Sequence, residues 1–242
     1  MSTPPRNPAA ETRLAQFIRA SGPHCLIVAR HGETAWNAEG RLQGQRDVPL
    51  NPRGHRQAMA AAQLLKSVPL IRIHSSSLRR CQETARPFAE SNIGRPAVLT
   101  SDLLKEVALG VLEGELKDRQ STAGLTRHYQ EFSADEIHYR VPDGENLHDV
   151  AARVQRFFVD REELLNGPGI HLIVGHRNVN KMILKHILGL SFEQGFRVEQ
   201  EHQRLYLYFA GAKELWSCWL EEEGAAAHLT PGYATTTDSS YA

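Results

Sequence analysis

Two short apolar runs that each stop at a histidine constrain this chain more than any other feature in it. Cys25-Leu26-Ile27-Val28-Ala29 ends at Arg30-His31-Gly32, and Leu172-Ile173-Val174 ends at Gly175-His176. Unbroken apolar runs of this length suit strands covered on both faces, as in a parallel sheet. Between them the pattern changes to helical spacing. Asn51-Pro52 pairs an N-cap with a first-turn proline, and Ala58, Ala61, Ala62 and Leu65 then trace one stripe. Ile71 and Ile73 predict a second strand ending at Ser75-Ser76-Ser77, with helix-forming composition over 78–90. Leu147, Val150, Val154, Phe157, Phe158 and Leu165 predict a long amphipathic helix closed by Asn166-Gly167-Pro168-Gly169. Val179, Met182, Ile183, Ile187 and Leu190 predict another helix after His176, and two more strands are expected at 205–209 and 215–220.

Strands alternating with helices imply an α/β fold: a three-layer α/β/α arrangement around a mostly parallel central sheet. Ligands in such sheets sit beyond the carboxyl ends of the strands. His31 and His176 are therefore expected on one edge, each before a turn or helix whose free N–H groups favour an anion, which points to a phosphate pocket. The 242 residues divide on this reading into an N-terminal extension over 1–20, one domain over 21–220 and a polar tail over 221–242. The extension carries a short helix marked by Leu14, Phe17 and Ile18, and the weakly periodic stretch 106–144 reads as a lid or insertion.

Composition removes several classes of function. Lys+Arg and Asp+Glu both total 28, so no net field draws the chain to nucleic acid or anionic lipid. No run approaches the ~20 apolar residues of a membrane span, and the first eleven residues lack the apolar stretch of a leader. Cys25, Cys81 and Cys218 are odd in number and widely spaced, which offers neither a disulfide framework nor a CxxC metal knuckle. A cytoplasmic protein is expected.

At residues 26–37, LIVARHGETAWN, the sequence resembles the signature of the histidine phosphatase superfamily, also called phosphoglycerate mutase-like. Residues 40–44, 47–50 and 54–58 look like that family's GRxQGxxDxPLxxxGxxQA continuation, and 76–85 is similar to its SxLxRAxQTA block. Leu104-Lys105-Glu106 with Gly110 and Glu113-Gly114, then 143–146 and 174–176, resemble its remaining blocks in the family's order. The resemblance implies a phosphoglycerate mutase-like fold and phosphoryl transfer through a phosphohistidine.

Elementary chemistry agrees. Phosphoryl transfer asks for a positioned nucleophile and for charge around the equatorial oxygens. A neutral imidazole is available near pH 7, so His31 is the expected nucleophile. Arg30 and Arg80 would supply permanent cations in a planar fork that matches phosphate oxygens. Arg79 rivals Arg80 for this role. Glu106, with Asp102 and Glu113 nearby, is the candidate general acid and base. The resemblance makes His176 the pocket's second histidine, expected to donate to the transferring group, and Asn37 and Gln43 neutral phosphate donors. Asn178 is a further substrate-binding candidate. No metal or cofactor is called for, and the other histidines show no ligand spacing.

The expected partner is a small phosphorylated metabolite, and the reaction its hydrolysis. Gln43, the RHGET form and the short interval between Glu106 and Glu145 look like the phosphatase branch, where a looser lid admits water. Asn178 looks instead like the mutase pattern, and Arg177 departs from the usual small residue after the second histidine: it would fill the pocket mouth or bind a second anionic group. A cofactor-dependent phosphoglycerate mutase and a non-catalytic phosphate-ligand or partner-binding module are the alternatives. Arg119, Arg127, His128, Tyr129 and Arg140 are candidates for the pocket mouth. An edge strand at 205–209 would leave room for a homodimer.

Overall fold

The computed structural model describes residues 12–117, 124–221 and 227–236. Its strands are β1 (His24–Arg30), β2 (Leu70–Ser76), β3 (Ala97–Ser101), β4 (Gly169–Gly175), β5 (Arg204–Phe209), β6 (Glu214–Leu220) and β7 (Ala227–Pro231). Its helices are α1 (Arg13–Ala20), α2 (Ala35–Ala38), α3 (Pro52–Leu64), α4 (Arg79–Ser91), α5 (Thr126–Ala134), α6 (Leu147–Val159), α7 (Glu163–Asn166), α8 (Arg177–Leu188) and α9 (Phe192–Phe196).

All seven strands join one sheet in the order β3-β2-β4-β1-β5-β6-β7. β3, β2, β4 and β1 pair in parallel, β5 runs against β1, and β6 turns back to the first direction, so most strands point one way. Side chains alternate across the pleat. In β1, Cys25, Ile27 and Ala29 face a core shared with α1, α3 and α4, whereas Leu26 and Val28 face a second core with α6 and α8. Those two cores make the three layers expected of the sequence.

Local signals explain most helix limits. Asn51 accepts from the Gly54 N–H and caps α3, Asn146 caps α6 with a reciprocal bond from Asp149, and Gly189 ends α8 in a left-handed conformation at φ +65°. The long helix expected through Leu165 breaks after Val159. The short α7 follows, and its Leu164 takes the buried place expected of Leu165.

Several expectations are corrected. The strand at 205–209 is interior, held between β1 and β6, so the dimerisation reading drawn from an edge there loses its basis. The edges are β3 and β7. β3 has little apolar pattern because both its faces are largely exposed, and β7 falls in the stretch read as a polar tail. The helix of the N-terminal extension packs into the main core: Leu14, Ala15 and Ile18 are buried there, and Phe17 meets Phe209 and Trp216 edge-on at 5.8 and 4.9 Å between ring centroids. Ile18→Ala is therefore expected to lower stability by ~2–5 kcal/mol, the usual cost of a large-to-small change in a core. Urea unfolding of the variant against the wild type measures it, and a change below 0.5 kcal/mol, the usual limit for exposed positions, would show that α1 is an appendage.

Candidate active site

Register places the site. Arg30 lies opposite Gly175 in the β1–β4 pair, so the residues that follow emerge side by side, with the His31 and His176 rings 5.1 Å apart between centroids. His31 is only 3% exposed. Its backbone N–H donates to the Gly175 carbonyl at 3.0 Å. Its ring Nδ1–H donates to the Gly32 carbonyl at 2.7 Å, which leaves the lone pair on Nε2. The Gly32 N–H in turn donates to Thr84 Oγ1 at 3.0 Å. Glycine is required at this turn, because a Cβ there would stand 2.4 Å from the Gly54 carbonyl oxygen. Burial, followed by Arg80, His176, Arg30 and His202, pushes the His31 imidazole well below its ordinary range. The ring is neutral at pH 7.

Arg80 is 1% exposed and donates from its two terminal nitrogens to the carbonyls of Arg46 and Gly44 at 2.7 and 2.8 Å. Its Nε–H donates to His176 Nδ1 at 3.1 Å. A guanidinium can only donate, so His176 carries its proton on Nε2 and gives it to Ser76 Oγ at 2.8 Å. Burial, then Arg80, keeps that ring neutral as well. Both of its ring nitrogens have protein partners, and through Nδ1 His176 orients Arg80. Arg79, the rival cation, is exposed and pairs with Glu83 at 2.7 Å.

A cavity of about 90 Å³ lies over His31, lined by Arg30, Arg80, Asn37, Gln43, Glu106 and Asn178 among others. One water needs ~10–15 Å³ on that measure, so the space admits a group of several heavy atoms. Arg30 donates to the Gln200 carbonyl at 2.7 Å. The Asn37 oxygen accepts from the Thr34 N–H at 3.2 Å and from the Thr34 hydroxyl at 3.0 Å, which leaves the donor end of its amide for the cavity. Gln43 and Asn178 each keep a buried amide oxygen without a partner. Turning either amide over offers an N–H to an anion.

Of the three carboxylates considered, Glu106 reaches the cavity. It accepts from the Asn178 and Val179 N–H groups at 3.1 and 3.2 Å and so caps α8, whose N-cap residue His176 provides no side-chain cap. Gln45 and Arg153 fix its backbone carbonyl at 3.0 and 3.1 Å. Asp102 is exposed and bonded to Ser77 and Lys105, and Glu113 accepts from the Gln45 and Leu109 N–H groups. At the mouth, Tyr129 lines the cavity; Arg127 pairs with Glu131, Arg140 with Asp149, and His128 with the Tyr139 hydroxyl. Arg119 lies outside the described residues.

Sequence reasoning missed the braces behind the site. His202 Nδ1–H donates to the His31 carbonyl at 2.6 Å, and Ser76, Thr84, Gln200 and Arg153 each hold one of the residues above. Ser76 and Thr84 lie in the 76–85 block, where the resemblance gave them no role, and His202, Gln200 and Arg153 carry no motif because their partners are far apart in the chain. Among the described residues no three His, Cys, Asp or Glu side chains gather as metal ligands.

A neutral imidazole between buried guanidiniums, at the carboxyl edge of a parallel sheet, defines a site for an oxyanion. The histidine phosphatase superfamily (branch 1) model matches residues 26–214. A probable phosphoglycerate mutase GpmB of an Enterobacter species is 36% identical over 167 residues, covering 68% of this chain and 75% of the relative. The 2,3-bisphosphoglycerate-dependent phosphoglycerate mutase 2 of Gloeobacter violaceus is 33% identical over 181 residues, covering 73% and 81%. In structure, a putative α-ribazole-5'-P phosphatase from Escherichia coli superposes with a TM-score of 0.68 at 24% identity, covering 88% of this chain and 97% of that one. A mycobacterial glucosyl-3-phosphoglycerate phosphatase superposes at 0.64 and 22% identity, covering 88% and 99%. The chain belongs to branch 1 of the histidine phosphatase superfamily.

The buried histidines make stability acid-sensitive. Burial pushes His202 down to about 3 and His74, packed on Phe157, to about 4. In the unfolded chain both return toward 6.5. The unfolded state then binds the extra protons, so stability is full above pH 6.5 and falls as pH drops toward 4. Each histidine contributes up to ~1.4 kcal/mol of loss per pH unit in that window. Urea titrations at pH 7 and pH 5 measure the slope, and His74→Leu should make it shallower; an unchanged slope would refute the assignment.

Proposed function

We propose that the protein is a phosphomonoesterase that hydrolyses small phosphorylated metabolites, without a metal, through a phosphohistidine on His31. One observation carries this reading: the His31 tautomer leaves Nε2 unprotonated at the wall of a cavity flanked by Arg30 and Arg80. In the first step the Nε2 lone pair bonds to phosphorus and the bond to the ester oxygen breaks. Glu106, at the same wall, gives that oxygen its proton. In the second step a water bonds to phosphorus, Glu106 takes the water's proton, and the P–N electron pair returns to Nε2. Arg30 and Arg80 hold the equatorial oxygens throughout, with His176 fixing the plane of the Arg80 fork, and Asn37, Gln43 and Asn178 add neutral donors. To meet an anion, Arg80 exchanges carbonyl partners for phosphate oxygens, a stronger charge-assisted pairing.

The cytoplasmic setting suits three cysteines that are all free and buried. A second reading, phosphoglycerate mutase, has specific support in the names of the 33–36% identical relatives and in Asn178. The reactions differ in whether water or a second hydroxyl receives the phosphoryl group.

Hydrolysis of p-nitrophenyl phosphate with a chelator present tests the first reading. His31→Ala should abolish it, and denaturing the wild type in alkali during turnover should trap a phosphoryl group on His31 that is stable to base and released by acid. Retained turnover in the variant would sink the proposal. Glu106→Gln should lower kcat/KM, which reports transfer to His31, by ~10²–10⁴ on alkyl phosphates and by much less on p-nitrophenyl phosphate, whose leaving group departs unprotonated; equal losses of kcat/KM on both would deny Glu106 the protonation of the leaving group. Interconversion of 2- and 3-phosphoglycerate primed by bisphosphoglycerate, faster than phosphate release, would decide for the mutase.

A further inference from the structure

Lys181 is a buried basic side chain that the chemistry over His31 does not use. It stands on α8 one turn beyond Arg177, is 1% exposed, and rests its Nζ 4.1 Å from the centre of the Phe196 ring. No carboxylate, carbonyl or hydroxyl meets that nitrogen among the described residues. An ammonium there would have given up its hydration for one aromatic face, and a lysine so placed loses its proton instead. Burial first, and then Arg177, keep Lys181 well below the usual lysine range. Arg30 acts in the same direction, and Glu136 and Glu106 act against it without prevailing. Both carboxylates are engaged elsewhere: Glu136 faces Arg177 at 3.9 Å, and Glu106 caps α8. The outcome is a neutral primary amine, with a lone pair on Nζ, inside the protein.

This amine borders a space. Lys181 lines a chamber of about 280 Å³ walled by α8, by residues 198–202 and by Thr236. Its near-complete burial restricts what can reach Nζ to a small, uncharged electrophile. Gln200 lines the same chamber; it gives its backbone carbonyl to Arg30 and keeps a fully buried Nε2 donor without an acceptor. Arg177 and Arg30 have partners of their own and are not called on as donors, but their charge counts: what disfavours a further cation at Nζ favours an anion there.

We propose that Lys181 is a site of carbamate formation: its amine adds carbon dioxide, and the carbamate accepts from Gln200 Nε2 in the field of Arg177 and Arg30. The Nζ lone pair bonds to the carbon, one C=O π pair moves onto oxygen, and Nζ releases one proton to water. The side chain passes from neutral to singly anionic with no change of oxidation state. The modification concerns the covalent state of the chain and stands independently of the phosphoryl-transfer reading.

Carbon-13 NMR of the full chain in labelled bicarbonate at pH 7 tests it. A carbamate resonance, distinct from bicarbonate and dissolved carbon dioxide, should appear in the wild type and be absent from Lys181→Met. Esterifying the carbamate with a trialkyloxonium salt, followed by peptide mass spectrometry, should place the added group on Lys181 and not on the exposed Lys66 and Lys213. That mapping needs no variant, so it decides the matter even where Lys181→Met fails to fold. Gln200→Leu should raise the carbon dioxide concentration for half occupancy about tenfold, the usual worth of a hydrogen bond to a charged group; unchanged occupancy would overturn the part given to Gln200. No carbamate up to saturating carbon dioxide, or label on the α-amine and exposed lysines alone, would overturn the proposal, whether or not p-nitrophenyl phosphate is turned over.

Discussion

The parallel pairing of β1 with β4 is the constraint on which everything else rests. Arg30 opposite Gly175 fixes where both strands end, and a shift of one residue would turn every side chain to the other face. The pair is buried on both sides, so its register is held by two cores rather than one. From its carboxyl edge the chain sends out His31 on one side and His176 with α8 on the other. β2 lies against β4 and ends one strand further along the same edge, where Ser76 meets His176 and α4 begins with Arg79 and Arg80. Three segments far apart in sequence, ending β1, β2 and β4, thereby meet at one edge.

What the sheet assembles is a concentration of positive charge beside His31. Arg80 is satisfied by two carbonyls and a neutral imidazole, and Arg30 donates to another carbonyl. A carboxylate in place of the Arg80 partners would pair more strongly, and would also occupy the donors that the proposed phosphate would use. These neutral partners keep the Arg80 fork oriented but replaceable. Burial first, and then the same cations, hold His31 and His176 deprotonated. In the proposed reaction the charge that would bind the phosphate therefore also helps to keep the His31 lone pair available.

Much of this was legible because it is local. The apolar runs marked β1 and β4, Asn51-Pro52 marked the start of α3, and the RHG block and its companions marked the edge where the site forms. Composition does not separate Arg80 from Arg79; register in the 76–85 block favours Arg80, and the helix phase of α4 sends it inward and leaves Arg79 paired with Glu83 on the surface. β3 and β7 escaped notice because edge strands exposed on both faces carry little hydrophobic pattern. His202 and Gln200 escaped for another reason: they touch His31 and Arg30 across about 170 residues of chain, and contacts of that range leave no periodic trace. The bonds from His176 to Ser76 and from Arg80 to His176 escaped likewise, since they span 100 and 96 residues.

α8 shows how function overrides local preference. A helix N-terminus favours negative charge, yet this helix opens with Arg177 and repeats a basic side chain at Lys181 one turn on. Its capping carboxylate comes instead from Glu106, 72 residues back in the chain. Glu106 therefore does two things with one group: it satisfies the first free amides of α8, and it stands at the cavity wall. Moving it would loosen the helix that carries His176, Asn178 and Lys181 together. A sequence optimised for helix stability alone would place an acid within α8 and leave Glu106 free to vary. The arrangement found spends that freedom on tying the proton-transfer candidate to the element that positions the rest of the site, and where local rules are broken in this way a site is the usual reason.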